Sequence, residues 1–194
     1  MTNDLPLNLV VLISGSGSNL QAILDNIANG SLSARVSAVI SDRHDAFGLT
    51  RAAQADVPTV VVARDDHGSI SDFHSALLGQ VEFFDPDLVV LAGFMRILPA
   101  RFVDRFSGRI MNIHPSLLPK FKGLNTHQRA LDAGERRHGA TVHLVTAELD
   151  DGPIIVQAEV EIKPDDNAET LQQRVLQHEH RIYSRAIQEF AQNR

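Results

Sequence analysis

The sequence predicts a single α/β domain with a parallel sheet. Apolar segments rich in β-branched residues alternate along the chain with segments whose apolar residues recur at helical spacing. Such alternation is typical of parallel strands that are joined by right-handed helical crossovers. The length of 194 residues suits one domain, and 43% hydrophobic residues are enough to bury a sizeable core.

The first half of the chain predicts four strands and three helices. Residues 8–13 are almost wholly apolar, as expected of a strand that is buried on both faces. Further strands are predicted at residues 36–40, 59–62 and 87–92. The first helix ends at Gly30 and shows the spacing i, i+3, i+4 and i+7 in Leu20, Ile23, Leu24 and Ile27. The other two helices are predicted at residues 47–55 and 73–84.

The second half predicts three strands and three helices. Pro99 begins a short helix that runs to about residue 106, and a strand at residues 109–114 follows. Next come a helix at residues 126–133 and two strands, at residues 141–145 and 154–161. A long helix at residues 169–192 completes the pattern.

The composition excludes several kinds of chemistry. Without cysteine the chain forms no disulfide, thiolate nucleophile or iron–sulfur cluster, so its nine histidines are the residues to examine for proton transfer. The net charge of −6 argues against nucleic-acid binding. The spacing of His127, His138 and His143 matches no zinc signature, and we expect no metal. The apolar run at residues 7–13 is too short for a signal peptide or a membrane helix, so we expect a cytoplasmic protein.

Charge is distributed unevenly along the chain. Residues 96–137 hold nine Lys/Arg against three Asp/Glu, whereas residues 144–170 hold eight acidic residues and one lysine. Two separate solvated faces would explain this distribution, and so would a basic rim beside an anionic ligand. Charge alone favours the first explanation.

The loop at residues 14–19 joins the first strand to the first helix and predicts a phosphate site. Its small residues let backbone N–H groups approach an anion, and the helix N-terminus adds partial positive charge. A dinucleotide fingerprint would have a third glycine where Leu20 stands, which favours a monophosphate. Asp42 follows the second strand and keeps a nicotinamide cofactor open as an alternative, and a glycine-rich turn without a ligand is another.

Asn112 and His114 are the strongest candidates for catalysis. Alternation puts both on the same side of a strand, at the carboxyl end where open α/β sheets bind ligands. An amide donates hydrogen bonds to a developing oxyanion, and an imidazole moves protons near neutral pH. A buried Asn/His pair that serves only the fold explains the spacing equally well.

Two acidic residues could complete this site. Asp150 lies in a turn at residues 148–153, and an aspartate folded against His114 would orient its imidazole. A plain turn residue is the commoner role for such an aspartate. Glu179 lies on or beside the apolar stripe of the last helix and therefore needs a partner, by default an ion pair within the protein.

Three segments and one motif together resemble the folate-dependent phosphoribosylglycinamide formyltransferase family. They are residues 11–23, 91–98 and 112–119, followed by His143, Asp150, Gly152 and Pro153. The resemblance extends from about residue 7 to residue 183. Asn-x-His with a later aspartate is shared by all relatives that use 10-formyltetrahydrofolate, whereas the Gly-Ser-Asn-Leu loop is more specific for this family.

The resemblance implies a fold and a reaction. The fold would be a single-domain, Rossmann-like formyltransferase fold: a mostly parallel central sheet with an antiparallel C-terminal portion and helices on both faces. Residues 1–106 would form the phosphate-binding half, and residues 107–194 the catalytic and folate-binding half. The enzyme would transfer the formyl group of its co-substrate 10-formyltetrahydrofolate to the amine of glycinamide ribonucleotide in purine biosynthesis. It would bind only small molecules, with no nucleic acid, membrane or metal, as a monomer or homodimer.

The resemblance also implies residue roles. The catalytic residues would be Asn112, His114 and Asp150. The ribonucleotide would contact Gly17, Ser18, Asn19, Leu20 and Glu179. The folate would contact Met95, Arg96, Ile97, Leu98, Asn112, Thr146 and Asp150. Two positions depart from the family pattern: Ile70 stands where an arginine often binds the folate tail, with Arg64 as a candidate substitute, and Asn125 stands where many members carry histidine.

Four alternatives remain at this point. A formyltetrahydrofolate hydrolase should carry an extra N-terminal regulatory domain, and a methionyl-tRNA formyltransferase a C-terminal RNA-binding extension. A nicotinamide oxidoreductase would need Asp42 to bind the ribose. A non-catalytic nucleotide- or folate-binding module is the last, and the presence of Asn112, His114 and Asp150 argues against it.

Overall fold

The computed structural model describes residues 5–193 and contains one seven-stranded sheet. The strands are β1 Leu7–Ile13, β2 Ala34–Ser41, β3 Thr59–Val61, β4 Leu88–Leu91, β5 Ile110–His114, β6 Arg137–Leu144 and β7 Ile154–Glu161. Their order across the sheet is β3-β2-β1-β4-β5-β6-β7. The pairings from β3 to β5 are parallel, and β6 and β7 are antiparallel to their neighbours.

The described residues form six α-helices around the sheet. They are α1 Ser18–Ala28, α2 Phe47–Gln54, α3 Ile70–Phe83, α4 Ala100–Arg105, α5 Thr126–Asp132 and α6 Ala168–Gln192. The prediction of a mostly parallel α/β sheet with an antiparallel C-terminal portion is confirmed. The division into two functional halves near residue 106 stays a prediction. None of the helices in residues 5–193 is both long and apolar enough to cross a membrane.

Strand β6 begins four residues before its predicted start at residue 141, because its pairing with β7 extends the ladder. A histidine and a glycine at its beginning do not favour a strand by themselves. Gly139 fits here because a Cβ at this position would lie 1.9 Å from the carbonyl oxygen of Ala158 in β7. Pairing with the neighbouring strand therefore decides the start of β6, which the sequence pattern alone does not show.

Side chains from alternate positions of β1 enter two hydrophobic cores, one on each face of the sheet. Leu9 and Val11 join the core that is covered by α1 and α6, whereas Val10 and Leu12 join the core covered by α3 and α4. All four side chains are fully buried. This burial explains why the first strand is apolar on both faces.

The chain reverses its direction across the sheet between β3 and β4, and this reversal creates the crevice for a ligand. From β1 the chain builds β2 and β3 on one side and then crosses to β4 on the other side of β1. The loops after β1 and β4 consequently leave the sheet toward opposite faces. Loops that follow β1, β4 and β5 thus surround one opening at the carboxyl end of the sheet.

The last helix, α6, is fixed against the strands that lead into this opening. The hydroxyl of the fully buried Tyr183 lies 2.8 Å from the carbonyl oxygen of Leu91 in β4 and 3.0 Å from that of Met111 in β5. Burial raises the pKa of Tyr183 well above its usual value, so the hydroxyl keeps its proton and remains a donor. Glu179, one helical turn earlier, is thereby held beside the crevice.

Candidate active site

The carboxyl end of the sheet opens into a cleft of about 900 Å³. Loops after β4, β5 and β6 form its walls together with helices α1, α5 and α6. Ten of the predicted site residues line it: Asn19, Met95, Arg96, Ile97, Leu98, Asn112, His114, Thr146, Asp150 and Glu179. The structure therefore brings together residues from both ends of the chain.

Gly17, Ser18 and Leu20 do not line this cleft, and the Leu20 side chain is fully buried in the core. Gly17 and Leu20 can face a ligand only through the backbone at the start of α1, whereas Ser18 is half-buried and also carries a hydroxyl. No side chain caps the helix, and its first turn contains no acidic residue. Within residues 5–193, no acceptor takes the amides of Ser18, Asn19 or Leu20. An uncapped helix start with free N–H groups is suited to an anion.

Asn112 is oriented by His143, its antiparallel neighbour on β6. The Nδ1 atom of His143 lies 2.9 Å from the Leu144 carbonyl oxygen and donates to it, which leaves Nε2 as an acceptor. Asn112 Nδ2 donates to this Nε2 across 3.2 Å. Burial lowers the pKa of His143, so the ring stays neutral and this arrangement is preserved. The amide therefore has one N–H fixed by the protein and a second that faces the cleft.

His114 lies at the end of β5 with both ring nitrogens close to protein acceptors. Its Nε2 donates to the carbonyl oxygen of Phe121 across 2.9 Å, and its Nδ1 lies 3.4 Å from Asp150 Oδ2. Each nitrogen can thus carry a proton, which makes the ring a donor at two positions. The predicted contact between Asp150 and His114 is present in the structure.

Asp150 is presented by the turn between β6 and β7 in the left-handed backbone region, at φ 49°. Its Oδ2 accepts the backbone N–H of Gly123 across 2.9 Å, and its Oδ1 lies 3.8 Å from His143 Nε2. The side chain is buried beneath this cluster. An unfavourable backbone region at a buried carboxylate that contacts His114 and Gly123 is typical of a functional position.

The segment between β5 and α5 supplies the partners of His114 and Asp150. Thr126 Oγ1 donates to the Pro115 carbonyl across 2.6 Å and so joins the two ends of the segment. Behind it, His138 Nε2 lies 3.2 Å from His127 Nδ1. Burial lowers the pKa of His138 to about 4, so it remains neutral near pH 7. These two histidines support the segment, and only His127 lines the cleft.

Glu179 is buried and receives its hydrogen bond from an amide instead of the expected cation. Asn19 Nδ2 donates to Glu179 Oε2 across 2.7 Å and joins α1 to α6. Burial raises the pKa of Glu179, and the hydrogen bond from Asn19 opposes this rise in part. The Asn19 Oδ1 atom is buried without a hydrogen-bond partner. This amide oxygen therefore remains to be satisfied by a ligand.

Asp42 does not face the cleft as a ribose-binding residue would. Its Oδ2 lies 2.6 Å from Arg96 Nε, and its side chain is only 1% exposed. The nicotinamide alternative depended on a free Asp42 and loses its support. Sequence reasoning missed this ion pair, since nothing in the pattern connects positions on two separate strand ends.

The uneven charge distribution brings opposite charges to one site. Asp150 from the acidic segment contacts His114 from the basic one, and next to it Lys122 pairs with Asp151. The explanation by separate solvated faces is therefore wrong at this point of the surface. Sequence analysis also missed Phe121 and Gly123, because both act through backbone atoms, which leave no signal in side-chain chemistry.

The two departures from the family pattern lie in different places. Ile70 begins α3 and Arg64 lies in a 3₁₀ turn, and neither is among the described residues that line the cleft. Arg64 Nη1 instead donates to the nearby His67 carbonyl across 2.9 Å. Asn125 lines the cleft in the left-handed region at φ 57°, which asparagine tolerates better than most residues. Residues 5–193 contain no group of three or more potential metal ligands.

Comparison with known proteins places this geometry in a family. A family model described as formyl transferase matches residues 7–187. The phosphoribosylglycinamide formyltransferase of Escherichia coli (strain K12) is 47% identical over 188 residues, which cover 97% of this chain and 89% of the relative. The structure of the Coxiella burnetii phosphoribosylglycinamide formyltransferase in complex with CHES is 54% identical, with a TM-score of 0.93 over 97% of this chain and 89% of that one.

A longer relative contains the same unit. The chicken trifunctional purine biosynthetic protein adenosine-3 is 44% identical over 180 residues, which are 93% of this chain and 18% of that protein.

A second solved structure is similar over nearly the whole chain. The glycinamide ribonucleotide transformylase 1 of Symbiobacterium toebii has a TM-score of 0.94 at 47% identity, and the match covers 97% of this chain and 89% of that one. On the family model and on these relatives, the chain belongs to the formyl transferase family of enzymes.

Proposed function

We propose that this enzyme transfers the formyl group of 10-formyltetrahydrofolate to the amine of glycinamide ribonucleotide, a step of purine biosynthesis. Relatives that match nearly the whole chain bear the name of this reaction. The observation that carries the proposal is the meeting of Asn112, His114 and Asp150 in one cleft that Asn19, at the uncapped start of α1, also lines. A formyl acceptor with a phosphate group fits that combination.

The ribonucleotide would bind between the glycine-rich loop and α6. Its phosphate would accept hydrogen bonds from the backbone of Gly17, Ser18, Asn19 and Leu20, where the α1 dipole favours an anion. Glu179 would accept hydrogen bonds from the hydroxyl or amine groups of the same substrate. This placement directs the reacting amine toward Asn112 and His114.

The folate would bind on the opposite side of the cleft. Met95 and Ile97, in the loop after β4, are 70% and 73% exposed and form an apolar rim, with Leu149 on the loop after β6. Exposed apolar side chains at a cleft are suited to the flat rings of a reduced folate. Thr146, Arg96 and Leu98 complete this side, mainly through backbone groups.

In the proposed reaction the amine attacks the formyl carbon, and a tetrahedral intermediate forms with its charge on oxygen. The free N–H of Asn112 donates to this oxyanion. Protonated His114 donates as well, after its Nε2–H exchanges the Phe121 carbonyl for the oxyanion, while Asp150 holds Nδ1. Collapse breaks the bond to the folate nitrogen, and the proton lost by the amine returns to that nitrogen through His114 or water.

An assay of the purified protein with both substrates tests the proposal. Deformylated folate is followed over time with glycinamide ribonucleotide present and with it left out, so that water is the acceptor. We expect release of the folate only with the ribonucleotide, together with the N-formyl product. Release without an acceptor would indicate a hydrolase, and no release in either case would contradict the proposal.

Substitutions assign the roles within the same assay. Asn112→Ala, His114→Ala and Asp150→Ala should each lower kcat by about 10²–10³ at unchanged folding, since each removes an oxyanion donor or its support. His44→Ala is the matched control, because His44 is exposed and pairs with Asp66 at the surface, outside the cleft. If His114→Ala kept nearly full activity, the role given to His114 would be wrong.

A further inference from the structure

The glycine-rich loop is held from behind by α2, and we propose that Arg51 on this helix is a positioning residue for phosphate recognition. Arg51 fixes the peptide planes of the loop so that their N–H groups point at the phosphate. The inference rests on the proposed function, since it takes the ribonucleotide phosphate as the ligand. Arg51 itself is outside the cleft.

Two hydrogen bonds connect α2 to carbonyl groups of the loop. Arg51 Nε donates to the Ser16 carbonyl oxygen across 2.8 Å. The backbone N–H of Gly48, in the first turn of α2, donates to the Gly15 carbonyl oxygen across 3.0 Å. Two successive carbonyls of the loop are thus turned toward α2.

The orientation of these carbonyls determines where the neighbouring amides point. In a trans peptide the C=O and N–H groups point in opposite directions. When Ser16 O faces Arg51, the N–H of Gly17 therefore faces away from α2, and the bond to Gly15 O orients the N–H of Ser16 in the same way. No described residue accepts a hydrogen bond from either amide. Both join the free amides at the start of α1 in one row of donors.

Arg51 is itself held in place by two further contacts. Its Nη1 donates to Gln21 Oε1 in α1 across 3.1 Å, and its guanidinium lies 4.9 Å from the centre of the Phe47 ring. The helix and the loop are also packed without a gap, because a Cβ on Gly17 would lie 2.6 Å from the Gly48 Cα. The guanidinium therefore connects α2, the loop and α1 as one rigid unit.

The positive charge of Arg51 is a second reason to expect an effect on phosphate binding. Arg96 is the one Lys or Arg among the described residues that line the cleft, and its Nε is paired with Asp42. A phosphate at the loop is therefore met by backbone amides and by the α1 dipole. The positive charge of Arg51, directly behind these amides, strengthens their attraction for a dianion.

The test compares two substrates with and without a phosphate group. Kinetics of Arg51→Met are measured with glycinamide ribonucleotide and with its dephosphorylated riboside. We expect kcat/KM for the ribonucleotide to fall about 30-fold, mainly through KM, as for the loss of a charge-assisted hydrogen bond. For the riboside and for the folate the constants should change less than about twofold, since no phosphate is bound there.

Two variants distinguish a positioning role from an effect of charge or of stability alone. Arg51→Lys keeps the charge but loses the guanidinium fork, so most of the loss should remain; full activity of this variant would contradict a positioning role. Arg185→Met is the control, because it removes an arginine that is 68% exposed and paired with Glu189 on α6. It should leave both substrates unaffected. An equal loss for ribonucleotide and riboside in Arg51→Met would reduce Arg51 to a structural residue and overturn the inference.

Binding measurements keep this test independent of catalysis. Calorimetry with ribose 5-phosphate, and with ribose as a blank, is expected to show weaker binding by Arg51→Met than by the unchanged protein. If the unchanged protein transferred no formyl group to the ribonucleotide, the proposed function would fail while this comparison still decided the role of Arg51. Gln21→Leu, which removes one support of the guanidinium, should give a smaller loss in the same direction. Equal affinity of Arg51→Met and the unchanged protein would refute the inference.

Discussion

Replacement of Glu179 by glutamine should stabilise the free enzyme and weaken ribonucleotide binding. Glu179 is 7% exposed, and burial raises its pKa above the ordinary value of 4.5. Above its raised pKa, Glu179 is therefore a carboxylate that is held away from water with one amide donor, Asn19 Nδ2 at 2.7 Å. Glutamine keeps an acceptor oxygen for Asn19 and removes the buried charge.

The pH dependence of this gain follows from the raised pKa. Between 4.5 and the higher pKa of the folded state, the folded protein binds a proton at Glu179 more readily than the unfolded chain does. The stability linked to the protonated carboxyl group is complete below pH 4.5 and is lost as the pH rises through the folded pKa. The advantage of Glu179→Gln should thus be near zero at about pH 4 and should grow as the pH rises through the folded pKa.

Urea unfolding at several pH values measures this difference. We expect the variant to gain about 1 kcal/mol at pH 8, a typical gain when a functional site is relieved of an unfavourable group. This corresponds to about 2–4 °C in Tm for a chain of this size. In the same variant the KM for the ribonucleotide should rise about tenfold, because a neutral oxygen accepts hydrogen bonds less strongly than a carboxylate. If the free energy of unfolding of Glu179→Gln showed no gain, or a gain that does not change with pH, burial would not be what destabilises the Glu179 carboxylate.

Three further predictions concern the cores and the buried polar groups. By NMR, the ring of His138 should not titrate between pH 5.5 and 8, because burial lowers its pKa to about 4; a midpoint near 6.5 would contradict this. Gly139→Ala should destabilise the protein by about 3 kcal/mol in urea unfolding, since its Cβ would lie 1.9 Å from a backbone oxygen of β7. The control Gly79→Ala, at an exposed position of α3, should instead stabilise it by about 0.5–1 kcal/mol. Equal effects of the two variants would show that β7 can move away from the new methyl group. Arg96→Met leaves the Asp42 carboxylate buried without its cation and should cost about 2 kcal/mol, which a second change, Asp42→Asn, should largely restore in thermal melts.

The regular part of the fold could be predicted because its periodicity reflects local rules. The strand at residues 8–13 was apolar on both faces, and the structure buries both faces of β1 in two cores. The start of β6 could not be predicted, because a strand that contains Gly139 exists only through its pairing with β7. The order of the strands likewise depends on contacts between distant segments, which no single segment encodes.

In the candidate site, too, some residues could be predicted from the sequence pattern and their partners could not. Asn112 and His114 could be placed on one side of a strand by alternation, and the structure has them so. Their partners could not be found in this way: Phe121 and Gly123 contribute a carbonyl and an amide, which every residue has. The Arg51 contact with the loop could not be predicted for a related reason, since an arginine in a short helix has no distinctive spacing.

The hydrogen bond between Asn19 and Glu179 joins residues that are 160 positions apart. During synthesis the ribosome releases the glycine-rich loop and Asn19 early, whereas Glu179 follows only after the complete sheet has been translated. A nascent chain would therefore carry half of the proposed ribonucleotide site for most of its synthesis and gain the other half when α6 docks through Tyr183. A ligand that contacts both segments would favour the docked state by mass action, and would thus act on the last step of folding as well as on catalysis.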